Sequence, residues 1–291
     1  MKIVPQNLYN SKHIQVLAHD GQSCILYKDI KLPHANQEAY ISSHVLTIIT
    51  EGEKRVSTYD GEVITIHGNE MAFLAKDIYV ISDFSPAYST FKSFLFFFDD
   101  SIIEEYLSSR QWHLSSNGRQ AEKVFKADYS QIIQVYTESL EPLFSKIQQN
   151  SKDLLRLKLL ELLQLITMSD SSQTFIHWLT SINDKKKRNL LDFMEQNFDK
   201  SLKVEDYAHL TGRSLSSFQR DFKKQFNRTP IQWLIDKRLE KAYELLSSKN
   251  LTVTDVAYEV GYENISHFIK AFKQRYQQSP KQFLLHQETR V

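Results

Sequence analysis

The residues of this chain best equipped for chemistry lie in two short segments near its C-terminal end. The first offers Ser216, Gln219, Arg220, Lys223 and Lys224; the second offers Ile265, Ser266, Lys270 and Lys273. On a helix, at about 100° per residue, Ser216, Arg220, Lys223 and Asn227 fall opposite Leu215, Phe218, Phe222 and Phe226, with Gln219 and Lys224 at the margins. In the second segment Ser266, Lys270, Lys273 and Gln277 oppose an apolar stripe of Ile265, Phe268, Phe272 and Tyr276. Gln274 and Ile269 lie at its margins, and Ile269 is expected to complete the core. None of the outward positions is acidic. Small residues let a helix approach a surface closely, Gln and Arg can hydrogen-bond base edges, and Lys meets phosphate oxygens. A solvated helix face usually mixes Lys with Glu, and one such helix alone would be read that way. Two helices that share the pattern point to DNA.

The elements that must position these faces are written twice. Leu202, Val204, Asp206, Ala208 and Gly212 recur as Leu251, Val253, Asp255, Ala257 and Gly261, at an offset of 49. After one inserted residue the offset is 50: Phe218 with Phe268, Phe222 with Phe272, Lys223 with Lys273, Phe226 with Tyr276, Pro230 with Pro280, Gln232 with Gln282. Two copies are too few for a solenoid, so the repeat reads as two similar small modules. Each has the grammar of a helix-turn-helix. Thr252 can N-cap a short helix, with Asp255 completing a capping box. Gly261 suits the positive φ of a helix end. A second helix runs from about Asn264 to Tyr276, and Ser279-Pro280 starts another. The first copy follows the same plan to Thr229-Pro230, with a poorer cap where Lys203 replaces Thr252. Between the modules, Pro230–Leu246 reads as one helix spanning roughly 25 Å, a strut that could set the two outward faces near one turn of a duplex apart, about 34 Å.

These residues resemble the AraC/XylS family of bacterial transcription regulators. The resemblance rests on Ala208 and Gly212; Ser214, Phe218, Gln219, Arg220, Phe222, Lys223 and Lys224; Thr229-Pro230; Arg238, Leu239, Ala242, Leu245 and Leu246; Asp255, Ala257, Gly261 and Tyr262; Phe268 and Phe272; and Ser279-Pro280. It covers about residues 185–288. It implies a sequence-specific DNA-binding regulator, an activator that contacts RNA polymerase, with the second helix of each module in successive major grooves. Base or backbone contact then falls to Ser216, Gln219 and Arg220, and to Ile265, Ser266 and Lys270. Lys270 stands where the family usually has Arg, and lysine cannot form arginine's two-point fork to guanine. The first module is therefore expected to specify sequence more strongly, and the second to act more through phosphates.

The remainder of the chain differs in character. Residues 1–183 carry 16 Lys+Arg against 21 Asp+Glu, a net of −5, whereas 184–291 carry 20 against 14, a net of +6. An acidic regulatory part joined to a basic nucleic-acid-binding part would show this asymmetry. Val45–Ile49, Glu62–Ile66, Met71–Leu74 and Phe91–Phe98 alternate as strands, with turns at Glu51-Gly52-Glu53, Asp60-Gly61 and His67-Gly68-Asn69. They predict an antiparallel sandwich or barrel. Helical spacing takes over at Ser101–Arg110, Tyr129–Gln149 (with Pro142 inside) and, capped by Ser151, Lys152–Met168. The last of these is leucine-rich on most of its circumference, so it must be buried on more than one side, inside its own domain or in part at a subunit interface. The expected fold is α+β: a β-rich, cupin-like antiparallel barrel over 1–100, a helical dimerisation and linker segment over 101–183, and an all-α domain of two helix-turn-helix units over 184–291. The N-terminal part is similar to the small β-barrel sensor domain of many family members, through its strand pattern and Ile66-His67-Gly68-Asn69-Glu70. That similarity implies a homodimer, with a small-molecule or protein effector.

Other chemistry is not indicated. His34, His44 and His67 lack the His-x-His spacing of a metal-binding barrel, and structural or surface roles are expected. There is no nucleophile elbow and no phosphate loop, so neither catalysis nor a cofactor is expected. The lone Cys24 reads as a small buried residue and fits a reducing cytoplasm. The run Lys185–Arg188 reads as a solvated linker rather than a phosphate clamp. No stretch is long and apolar enough to span a membrane, so a cytoplasmic protein is expected, nucleoid-associated when on DNA. Two competing readings stay open at this level: a barrel enzyme with a DNA-binding tail, and a non-specific architectural DNA binder.

Overall fold

The computed structural model describes residues 1–31, 34–59, 61–85, 90–109, 124–146, 152–168, 172–182, 187–248 and 251–288. The chain forms two compact units, Met1–Asp184 and Lys185–Val291.

In the first unit, β1 (Lys2–Val4), β4 (His34–Ile41), β9 (Asp77–Phe84), β6 (Glu53–Thr58) and β7 (Val63–His67) form one sheet in that order. The second sheet runs β11 (Val124–Asp128), β8 (Glu70–Leu74), β5 (His44–Glu51), β10 (Phe91–Phe98), β3 (Ser23–Ile30), β2 (Ile14–Asp20). All pairings are antiparallel except β1 with β4. Among the described residues no ladder joins the two sheets, so the β region is an open two-layer sandwich and not a closed barrel. The physical reason lies in β5 and β10. Inward residues such as Val45, Ile49, Leu95 and Phe97 pack toward the other sheet. Their neighbours Leu46, Ile48, Phe96 and Phe98 pack into a separate core with the helices. A strand buried on both faces is apolar at every position. Period two is present there, but it separates two cores and not core from solvent.

Four helices cover that second face: α1 (Asp100–Ser108), α2 (Gln131–Ser145), α3 (Lys152–Thr167) and α4 (Ser172–Ser181). Asp99 caps α1 by accepting from the Ile102 N–H at 3.0 Å. Leu155, Leu159, Leu162, Leu163 and Ile166 of α3 join Phe73, Phe125, Phe175 and Trp178 in one cluster. Two features depart from the sequence-based picture. The β structure does not stop at residue 100, because β11 returns to pair with β8. Within the expected helical dimerisation and linker segment lies α4, a helix not singled out from the sequence, whose Phe175, Ile176, Trp178 and Leu179 are buried. The expected turn at Asp60 and the cap at Ser151 lie outside the described residues. Cys24 is fully buried, and burial pushes its thiol up to about 12.

The second unit is all helical: α5 (Leu190–Asn197), α6 (Val204–Leu210), α7 (Leu215–Phe226), α8 (Pro230–Ser248), α9 (Val253–Glu259), α10 (Ile265–Tyr276) and α11 (Pro280–Glu288). The α6–α7 and α9–α10 pairs are the two repeats. The Asp255 N–H donates to Thr252 Oγ1 at 3.1 Å, and the Thr252 N–H donates back to Asp255 Oδ2 at 3.3 Å. At α6, Lys203 supplies no acceptor; only the return bond survives, from the Lys203 N–H to Asp206 Oδ2 at 2.8 Å. Losing a side-chain N-cap costs about 1 kcal/mol, and this cost falls on the first repeat alone.

Candidate nucleic-acid interface

Each outward helix is anchored by the same devices. Ser214 Oγ accepts from the Ser217 N–H at 3.3 Å to cap α7, and Asn264 Oδ1 accepts from the His267 N–H at 3.1 Å to cap α10. Both helices end on a left-handed residue, Asn227 (φ 55°) and Gln277 (φ 57°). Asn227 and Gln277, expected on the outward faces, thus serve as the helix C-caps. Immediately after, Thr229 with Gln232 and Ser279 with Gln282 form reciprocal caps that start α8 and α11. Phe218, Phe222, Phe268 and Phe272 are fully buried. Truncating such a ring to Ala costs about 3–5 kcal/mol, so the outward faces cannot rotate without dismantling the core.

With the helices fixed, Ser216, Gln219, Arg220, Lys223 and Lys224 are all exposed on α7, as are Ser266, Lys270 and Lys273 on α10. Ile265 is half-buried and packs against the core of its repeat, which limits its reach. Two apolar assignments are corrected. Leu215 and Ile269, read as core, are each 37% exposed. Leu215 is the first residue of α7, beyond the stripe that packs inward. Ile269 sits 100° around from Phe268 on a helix that buries only a narrow stripe. Both therefore add apolar surface to the outward faces.

The cations of this unit divide into two groups. Arg228, Lys237, Lys241 and Arg275 are paired with carboxylates. Lys223, Lys224, Lys270 and Lys273 have no acidic partner among the described residues. Arg220, with its side chain 75% exposed, lies 3.7 Å from Asp221. Asp221 is itself held by Arg213 Nε at 3.3 Å, so this half-buried acid steers Arg220 along the helix surface without neutralising it. The sequence reading overlooked Asp221. An acid adjacent to Arg220 was the available signal.

Helix α8 ties the two repeats together. Arg238 donates from Nε to the Phe198 carbonyl at 2.7 Å and from Nη2 to the Lys200 carbonyl at 2.6 Å. Its guanidinium also lies 6.0 Å from the Tyr262 ring centroid in the second repeat. Tyr207 donates to the Asn197 carbonyl at 2.7 Å; burial pushes its pKa up to about 12, so it stays a donor. Asp236 accepts from Arg228 at 2.9 Å on the first-repeat side and is bonded to Arg275 of α10 on the other. Arg275 also reaches Glu240 at 2.8 Å. One face of α8 thus carries a charge bridge to both repeats. Part of the expected linker run is structural: Arg188 donates to the Leu210 carbonyl at 3.0 Å and lies 5.4 Å from the Phe193 ring centroid. Lys185 and Lys186 lie outside the described residues.

A family profile described as ExsA N-terminal regulatory domain matches residues 44–178, and one described as helix-turn-helix domain matches 207–286. The virulence regulon transcriptional activator VirF of Yersinia enterocolitica is 27% identical over 129 residues, covering 44% of this chain and 48% of VirF. The regulator ExsA of Pseudomonas aeruginosa is 26% identical over 124 residues, covering 43% of this chain and 45% of ExsA. The crystal structure of an apo ToxT variant from Vibrio cholerae aligns with a TM-score of 0.45 at 13% identity, covering 92% of this chain and 98% of that one. The chain thus carries a helix-turn-helix domain and an N-terminal regulatory domain similar to those of AraC-family regulators. It spans about half the length of the curated relatives it matches.

Proposed function

We propose that this protein is a sequence-specific DNA-binding transcription regulator that lays α7 and α10 in successive major grooves. The observation that carries the reading is the sorting of cations. Arg228, Lys237, Lys241 and Arg275 are engaged by internal ion pairs, whereas Lys223, Lys224, Lys270 and Lys273 point outward without acidic partners among the described residues, on two equivalently anchored helices. Ser216, Gln219 and Arg220 read base edges from α7. Ser266, Lys270 and the edge of Ile265 do so from α10, with Lys223, Lys224 and Lys273 on phosphates. The exposed Leu215 and Ile269 are suited to thymine methyls.

By likeness to VirF, whose name marks it as an activator, the regulator acts positively by contacting RNA polymerase, and it works in the cytoplasm. Pairing of two copies is supported by apolar side chains left exposed on the helical layer, Ile132 (48%) and Val135 (62%) on α2 and Leu157 (57%) on α3. The first unit serves as the regulatory domain, responding to a small molecule or a protein. No catalytic step is assigned to it. The test is competition at one salt concentration between a promoter fragment selected by genomic pull-down and random DNA of equal length. Preference for the selected fragment by at least about a thousandfold supports the reading. Equal binding to both would replace it with a non-specific architectural role.

A further inference from the structure

The contact between Arg220 and Asp221 is not one that helix spacing imposes. Neighbours on a helix diverge by about 100° and do not face each other, yet Arg220 Nε lies 3.7 Å from Asp221 Oδ1. That distance is too long for a hydrogen bond but within reach of an ion contact. Asp221 is not free to follow the arginine. Its other oxygen, Oδ2, accepts from Arg213 Nε at 3.3 Å. Arg213 is in turn fixed to backbone. Its Nη1 donates to the Thr211 carbonyl at 2.8 Å and to the Arg188 carbonyl at 3.0 Å, and its side chain is only 11% exposed. A chain of contacts therefore runs from the turn between α6 and α7, through Arg213 and Asp221, to the Nε end of the Arg220 guanidinium.

A carboxylate on a helix that must enter a groove is normally a liability, because phosphates repel it. Here Arg213 offsets that charge. The triad keeps one net positive charge, and Arg220 is its exposed member. The contact is made at Nε, so the two terminal nitrogens, Nη1 and Nη2, lie at the far end of the planar group. A pair of arginine donors in this fixed fork matches O6 and N7 of guanine. The second repeat departs at all three positions together. At the offset of 50, Lys270 replaces Arg220 and Ala271 replaces Asp221. In the turn, Tyr262 replaces Arg213, its N–H donating to the Ala257 carbonyl as the Arg213 N–H donates to that of Ala208. A lysine ammonium has no plane to orient, and the acid and its anchor are missing where there is no fork to aim. We propose that Asp221, anchored by Arg213, is a positioning residue that commits Arg220 to one pose, in which Nη1 and Nη2 read a guanine in the major groove. The proposal rests on the DNA-reading role given above to α7, and the experiment separates the two.

The test is fluorescence anisotropy of the full-length protein at one salt concentration. The probes are the selected promoter fragment, its single-base-pair variants across the stretch facing α7, and random DNA. In the wild type, replacing one G·C pair is expected to cost about tenfold or more in affinity, and Arg220→Ala should abolish that discrimination. Asp221→Asn should lower discrimination at the same pair by about threefold or more, while affinity for random DNA holds or rises because a negative charge is removed. Asp221→Ala, which matches Ala271 of the second repeat, should do the same. Neither change should have a further effect on that pair in an Arg220→Ala background. An Asp221 that merely supports the helix would weaken all sequences alike. That result, or undiminished discrimination in either folded variant, overturns the proposal. So does an A·T pair, in place of G·C, as the one whose reading depends on Arg220, whether or not the Asp221 variants fold. Absence of any base preference in the wild type would defeat the DNA reading itself, whereas a preference that survives Arg220→Ala would overturn this proposal alone.

Discussion

Gly261→Ala is the substitution whose cost can be worked most directly from the geometry. Gly261 closes α9 with φ +85°, where an L side chain is strained by about 1–2 kcal/mol. A Cβ there would lie 2.6 Å from the Asp199 carbonyl oxygen, 2.9 Å from its carbon and 3.2 Å from the Lys200 carbon. These are backbone atoms, and Arg238 holds the segment at the Phe198 and Lys200 carbonyls. The clash must therefore be relieved by moving one repeat away from the other, an overpacking cost of about 1–3 kcal/mol. Together the destabilisation is about 2–5 kcal/mol, or roughly thirtyfold to several thousandfold in the opening equilibrium. Amide hydrogen exchange of the full chain, read on peptides covering α9 and α10, should show that loss of protection. Gly21→Ala is the control: its φ is +58° and nothing lies within 4 Å of the added carbon, so it should cost only the backbone strain. If both alanines caused equal local losses, the contact between Gly261 and Asp199 would not be holding the repeats together.

Four further outcomes are expected. Arg220→Ala should cost about 1–3 kcal/mol on a cognate site and relax discrimination at the bases it faces; an equal loss on random DNA, measured by fluorescence anisotropy, would contradict base reading. Lys273→Ala should weaken binding to all sequences alike and lower the salt slope by about one, and an unchanged slope would remove it from the phosphates. Asp236→Asn weakens the bridges to Arg228 and Arg275 together, so binding should become more tolerant of one base pair inserted between half-sites; unchanged selectivity for spacing would make the bridge irrelevant to DNA. The hydrogen bond from His44, with Lys76 beside it, holds the Asp100 carboxyl well below the usual carboxylate range. A depressed folded pKa stabilises above the unfolded value of about 4 and is lost as pH falls through the folded one. Asp100→Asn should therefore lower the melting temperature at neutral pH more than at pH 3, and an equal shift at both would refute the linkage.

The second unit was legible because its signals are local. Phe218, Phe222, Phe268 and Phe272 fall at helical spacing, and Thr252-Asp255, Ser279-Pro280 and Gly261 mark helix ends with residues chosen by backbone chemistry. The outward placement of Ser216, Gln219, Arg220, Ser266 and Lys270 follows once the core stripe is known. Failures occurred where a neighbour, not the residue itself, decides burial. Leu215 and Ile269 are apolar yet exposed, because among the described residues no other helix covers them. The first unit was less legible for the same reason. Strands such as Ser23–Ile30 and Asp77–Phe84 carry Lys28 and Asp83 among apolar residues, and only the opposing sheet explains how those charges sit inside. The six-stranded sheet, buried on both faces, cannot announce through alternation which side meets the helices and which the other sheet.

The bond pattern around α8 bears on who does the adjusting when protein meets duplex. Arg238 and Asp236 brace both repeats against one continuous helix, so α7 and α10, entering the grooves as proposed, behave as a caliper of set opening. A caliper does not stretch to suit its object. Whatever mismatch exists between that opening and the natural pitch of the groove must be absorbed by the nucleic acid, through bending or local untwisting. Sequences between the two contacted stretches would then be selected for pliancy, although no side chain touches them.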